Sequence, residues 1–135
     1  MKSDQNTARA LELIERVLNG HNIGALDEFT YNQAVVGGAA SLLSAFPDLE
    51  AEVSWIVAEG DMTVTFFGLR GTQHGPWRCV REPTGQRVET SLMLAFRFDD
   101  NGQIVDYWLG SNFVEMLAQL VWGFAPVWAV ATGPK

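Results

Sequence analysis

Cysteine is almost missing from this chain. Its 135 residues hold only Cys79, so no disulfide can form within it, and no Cys/His set has the spacing of a zinc site. Histidine is nearly as scarce, with His21 and His74 alone. Positive charge is the next shortage. Nine Lys and Arg face sixteen Asp and Glu, for a net charge of −7. With no basic cluster to override it, such a surface repels phosphate backbones and argues against a nucleic-acid partner. Long apolar runs are also lacking. The tail from Leu120 to Ala131 is too short to cross a bilayer, and Gly123 and Pro126 interrupt it. Met1 to Asn6 is polar and does not read as a secretory signal. The expectation is a cytoplasmic protein with no membrane partner.

What remains is globular in composition, 47% apolar and 19% charged. The length suits one core, so a single domain over residues 1–135 is expected. Ser3 or Asp4 can cap a first helix with Leu11, Ile14, Val17 and Leu18 on one face, ended by Asn19-Gly20. Gly24 to Phe29 reads as a short second helix. Gly37-Gly38 predicts a break, after which Ala39 to Phe46 forms a third helix stopped by Pro47. From Leu49 the period becomes two. Leu49, Ala51, Val53, Trp55 and Val57 alternate with polar residues, which predicts a half-buried strand with those five on one face. Further strands are expected over Met62 to Thr72, Arg87 to Phe98 and Gln103 to Ser111, with a short one near Trp77 to Val80 and a closing helix from Phe113 to Trp122. Helices followed by an antiparallel meander imply an α+β fold with the helices on one face of a curved sheet.

Several short motifs occur in a telling order. They are AFPDL at Ala45 to Leu49, EGD at Glu59 to Asp61, Gly71-Thr72 with Gly75 close by, PTGQRV at Pro83 to Val88, and FRFDDNGQIVDYW from Phe96 to Trp108. Together they resemble the SnoaL-like polyketide cyclases of the nuclear transport factor two-like superfamily. That resemblance implies a cone-shaped, curved antiparallel sheet with N-terminal helices packed on its concave face. It also implies an enzyme acting on a polyketide-like hydrophobic cyclic substrate with no metal and no cofactor, and a homodimer. Cyclases of this kind use an Asp to move a proton from an acidic carbon while a polar neighbour steadies the enolate. That Asp usually stands seven residues before the Gln of the final Gln-Leu, where this chain has Asn112. Gln73 occupies the slot of a family histidine, with His74 one place later.

These matches nominate the site residues. Asn112 can donate to an enolate oxygen, though it takes no proton at neutral pH; it can equally cap the helix that follows. Asp106 and Trp108 share its alternation, so an unbroken strand would aim all three at one face. There Asp106 would replace the missing base and Trp108 would stack on the substrate, whereas a bulge would turn Asp106 to solvent. His74 is either an acid-base group or a wetted loop histidine. Thr90, Leu92 and Leu94 are expected on the pocket wall, with Gln73 at its edge. Trp55 and Trp77 read as structural, and Arg97 as a surface partner of Asp99. The apolar tail can cover the cone's mouth or extend a dimer interface. The leading expectation is a cyclase or cofactor-independent hydroxylase. The alternatives are a non-catalytic binder of hydrophobic ligands, and an interaction module whose cone is filled by its own side chains.

Overall fold

The computed structural model describes residues 2–77, 80–111 and 118–121. Helix α1 (Lys2–Leu13) runs on into a wider π turn at Ile14–Asn19, where Gly20 N donates to Glu15 O at 2.8 Å and Asn22 N to Val17 O at 3.1 Å. One stripe buries Ala10, Leu13, Ile14, Val17 and Leu18. The stripe enters α1 at Asn6 and leaves Leu11, expected on it, at the surface. A short 3₁₀ turn, Ile23–Glu28, is capped by the Asn22 side chain and delivers Leu26 and Phe29 to the core. The guanidinium of Arg9 lies over the Phe29 ring, 4.6 Å from its centroid.

Helix α2 (Gln33–Ala45) is capped by Asn32, whose Oδ1 accepts from Ala34 N at 2.9 Å. The expected break at Gly37-Gly38 does not occur. Each glycine costs a helix about 1 kcal/mol relative to alanine, but the cap and the flanking Ala and Leu residues carry the helix through. At its end, Ala45 O accepts from His74 N at 2.9 Å and Gly75 N at 3.3 Å. A Cβ on Gly75 would stand 2.8 Å from Ser44 O, so only glycine lets the loop seal the helix this closely.

Strands β1 (Glu50–Glu59), β2 (Met62–Thr72), β3 (Arg87–Phe98) and β4 (Ile104–Ser111) form one antiparallel meander in chain order. The sheet is curved and unclosed, with the helices against its inner face. Phe67, Leu69, Leu92, Leu94 and Phe96 point inward and meet the α1 stripe. Burying one such side chain stabilises the fold by about 1.5–3 kcal/mol. Exposed ion pairs such as Arg16–Glu28 and Arg70–Glu50 contribute roughly 0–1 kcal/mol each. The core therefore decides the fold.

Two bulges set which side chains reach that core. Val53 pairs with Phe67 and Trp55 with Phe66, leaving Ser54 as an extra residue. Asp106 pairs with Arg97 and Ile104 with Phe98, leaving Val105 extra. A one-residue insertion sends every later side chain to the opposite face. The expected single face on β1 therefore ends at Ser54: Ile56 packs toward the core, while Trp55 and Val57 are exposed. Side-chain amides finish the sheet where strand partners run out. Asn19 bonds both backbone groups of Ala51 on the β1 edge, at 2.7 and 2.8 Å. Gln119 does the same for Glu89 on β3, at 2.8 and 3.0 Å. At the β4 bulge, Thr30 Oγ1 donates to Ile104 O (2.6 Å) and Asn32 Nδ2 to Val105 O (2.8 Å).

Candidate ligand cavity

α2 packs chiefly against the π and 3₁₀ segments rather than onto the strands. The space left between α2 and the inner face of the sheet is a cavity of about 410 Å³, within the roughly 300–1,000 Å³ usual for small-molecule sites. Phe67, Leu92, Leu94 and Phe96 form its floor, Val35 and Leu42 its roof, and Trp77 closes one side. Trp77 is held edge-on to Phe46, with ring centroids 5.8 Å apart. The wall is overwhelmingly hydrocarbon. Among the described residues no carboxylate or imidazole lines it.

Of the residues nominated from sequence, Leu92 and Leu94 come together on this wall. Thr90 is buried on the same face, but does not line the cavity, and its hydroxyl has no hydrogen-bond partner among the described residues. Asn112 lies outside the described residues, as do Cys79 and the apolar tail from Trp122.

Arg97, Trp108, Trp77 and Gln73 depart from their expected placements, and Asp106 and His74 take the solvent-facing one of the two alternatives open to each. The Val105 bulge turns Asp106 to the outer face, where it pairs with Arg97, whose Nε donates at 2.9 Å; Arg97 thus pairs with Asp106, not Asp99. The same bulge leaves Trp108 54% exposed on that face, while Trp77, read as structural, lines the cavity. Gln73 is wholly buried, but its amide turns into the loop that follows β2. Its Nε2 donates to Gly75 O (2.9 Å) and Val80 O (3.3 Å), and its Oε1 accepts from Thr84 N (3.1 Å) and Thr84 Oγ1 (2.7 Å). His74 is exposed beside Asp48 because its backbone is tied to the end of α2. The Asp48 carboxylate accepts from Thr72 N at 2.7 Å. That bond, assisted by His74 nearby, holds it below the usual carboxylate range.

The bulge also brings in residues that strand alternation did not point to. Tyr107 and Leu109 line the cavity in place of Asp106 and Trp108. One signal for this was available, since Ile104, Tyr107 and Leu109 make a better apolar set than one containing Asp106.

Helices on the inner face of a curved antiparallel sheet, enclosing an apolar cavity, define a nuclear transport factor two-like domain. The family model of the SnoaL-like polyketide cyclases matches residues 4–120, and the chain belongs to that family. Among solved structures it is similar to AclR of Streptomyces galilaeus, a hydroxylase candidate, with 28% identity over 87% of this chain and 96% of that one and a TM-score of 0.73. It is also similar to IdmH of Streptomyces antibioticus, a candidate polyketide cyclase, with 27% identity over 86% and 98% and a TM-score of 0.68. A SnoaL-like protein from Jannaschia sp. CCS1 shares the fold at 24% identity over 87% and 92%, with a TM-score of 0.73. Among curated proteins none matches.

Proposed function

We propose that the protein is an enzyme of secondary metabolism, antibiotic biosynthesis included, that acts on a polyketide-like hydrophobic cyclic molecule. It works as a cyclase or cofactor-independent hydroxylase, by proton transfer and enolate stabilisation. The observation that carries this is the 410 Å³ hydrocarbon-walled cavity in a chain of the SnoaL-like family. Water excluded from such a cavity strengthens every polar contact made to a reacting carbonyl. Asn112 is the proposed enolate donor. It follows directly on Ser111, the last residue of β4, which pairs with the cavity-lining Leu92.

A second function, binding without catalysis, is favoured by one specific observation: no carboxylate or imidazole among the described residues lines the cavity. Titration with polycyclic aromatic β-keto esters, followed by tryptophan fluorescence and by deuterium uptake at the acidic carbon, separates the two. Exchange that disappears in the Asn112→Ala variant supports the enzyme. Binding without exchange supports the carrier.

We also propose a cytoplasmic homodimer formed through the outer face of the sheet. Trp55 stacks on Phe66 there, with ring centroids 5.4 Å apart, and the exposed Met93, Val57 and Trp108 extend the same apolar band. The pairs Arg70–Glu50 and Arg97–Asp106 flank it at its two ends. An apolar band with a charged rim is the usual anatomy of an interface between copies.

A further inference from the structure

We propose that the hydroxyl of Tyr107 is the polar anchor of the cavity, donating a hydrogen bond to a carbonyl oxygen at one edge of a flat, otherwise apolar ligand. This rests on the ligand-binding function proposed above and narrows its substrate class to ring ketones. Tyr107 faces the cavity only because the Val105 bulge reverses β4. Its phenol spans from β4 to α2, where the hydroxyl oxygen lies 3.2 Å from the position a Cβ on Gly38 would take. Any side chain at 38 would press on that oxygen. The glycine, a poor helix residue, thus keeps open the place where the hydroxyl sits.

A phenolic O–H both donates and accepts. A ligand oxygen beside it would accept that hydrogen bond within a largely hydrocarbon wall, where it is stronger than in water. Ser41 stands three residues beyond Gly38, on the same face of α2, and also lines the cavity. The cavity therefore has a polar patch at Tyr107, Gly38 and Ser41. Leu13, Leu18 and Leu26, also in the lining, add only hydrocarbon. That polarity fits a ligand with its oxygen on one edge, and does not fit one with polar groups all round.

The test compares 9-fluorenone with fluorene, which share a shape and differ at the carbonyl, against the wild-type protein and Tyr107→Phe. The variant removes one oxygen atom, and circular dichroism verifies its fold. Wild-type protein is expected to bind both probes. Tyr107→Phe is expected to weaken fluorenone about five- to tenfold, the effect of one hydrogen bond, and to leave fluorene unchanged. In the infrared, the carbonyl band of bound fluorenone should fall in frequency in the wild type and return in the variant. If Tyr107→Phe weakens both probes alike or neither, the anchor is wrong while ligand binding stands. If wild-type protein binds neither probe, the anchor and the function beneath it both fall.

Discussion

Replacing Gln73 by methionine separates a structural from a substrate-binding role for that side chain. Methionine keeps the length and volume but removes an amide that makes four hydrogen bonds within the loop after β2. Each such bond contributes about 1 kcal/mol net, and a buried partner left without water costs about 1–3 kcal/mol. Gln73 is fully buried, while Thr84 and Val80 are partly open to solvent and can recover some bonds to water. The expected loss is therefore about 2–4 kcal/mol, a large part of the roughly 5–15 kcal/mol that holds a domain together. For 135 residues, at ~2.1 cal/mol/K of unfolding entropy each, 1 kcal/mol moves the melting point by roughly 3.5 °C. Gln73→Met should thus melt about 7–14 °C below wild type by differential scanning calorimetry. Its affinity for a ring ketone, measured well below the melting point, should change little. Unchanged melting with lost affinity would refute the reasoning and return Gln73 to the ligand.

Other substitutions probe the remaining elements. Gln119→Ala should speed hydrogen exchange at the Glu89 amide and cost about 1–2 kcal/mol, read by exchange NMR, because its side chain replaces a missing strand at the β3 edge. Trp77→Ala should abolish ring-ketone binding by fluorescence titration, whereas Trp108→Glu should leave binding intact and shift sedimentation from dimer to monomer. Asp48→Ala should cost about 1 kcal/mol at neutral pH after allowance for its exposure. The folded carboxyl titrates below its unfolded value, so this contribution is complete above about pH 4 and is lost as pH falls through the folded pKa. Melting curves of variant and wild type should converge toward pH 2 and separate above pH 5.

Much of the architecture was legible because it rests on local patterning. The stretches Met62 to Thr72 and Arg87 to Phe98 match β2 and β3 residue for residue, since turn residues bound them and apolar residues alternate within them. The hairpin at Asp99 closes as its Asp-Asp-Asn-Gly predicts, with Asp99 Oδ1 accepting from Asn101 N and Gln103 N at 2.9 Å each. Leu92 and Leu94 could be placed on the cavity wall for the same reason, because no bulge interrupts β3 where it pairs with β2. Unbroken alternation puts Asp106 and Trp108 inside and a bulge puts them outside, and the sequence cannot choose because alternation records only parity. A single unpaired residue upstream reverses parity without changing the pattern itself. Gln73 is nominated because it occupies the slot of a family histidine, and whether its amide serves a ligand or a loop depends on where Thr84 returns eleven positions later.

The sequence by itself determined the class of fold, the family and the apolar character of the interior. These follow from the order of helix and strand periods, from the AFPDL and FDDNGQIVDYW segments, and from how much of the chain must leave water. Only the tertiary structure decided which side chains face the cavity. That outcome hangs on the extra residues Ser54 and Val105, on a glycine pair that α2 absorbs, and on the space α2 leaves above the sheet. The physical reason is that bulges and stand-off distances are settled by contacts between segments far apart in the chain. Thr30 and Asn32 hold the β4 bulge open from more than seventy positions away, and through it they turn Tyr107 inward and Asp106 out.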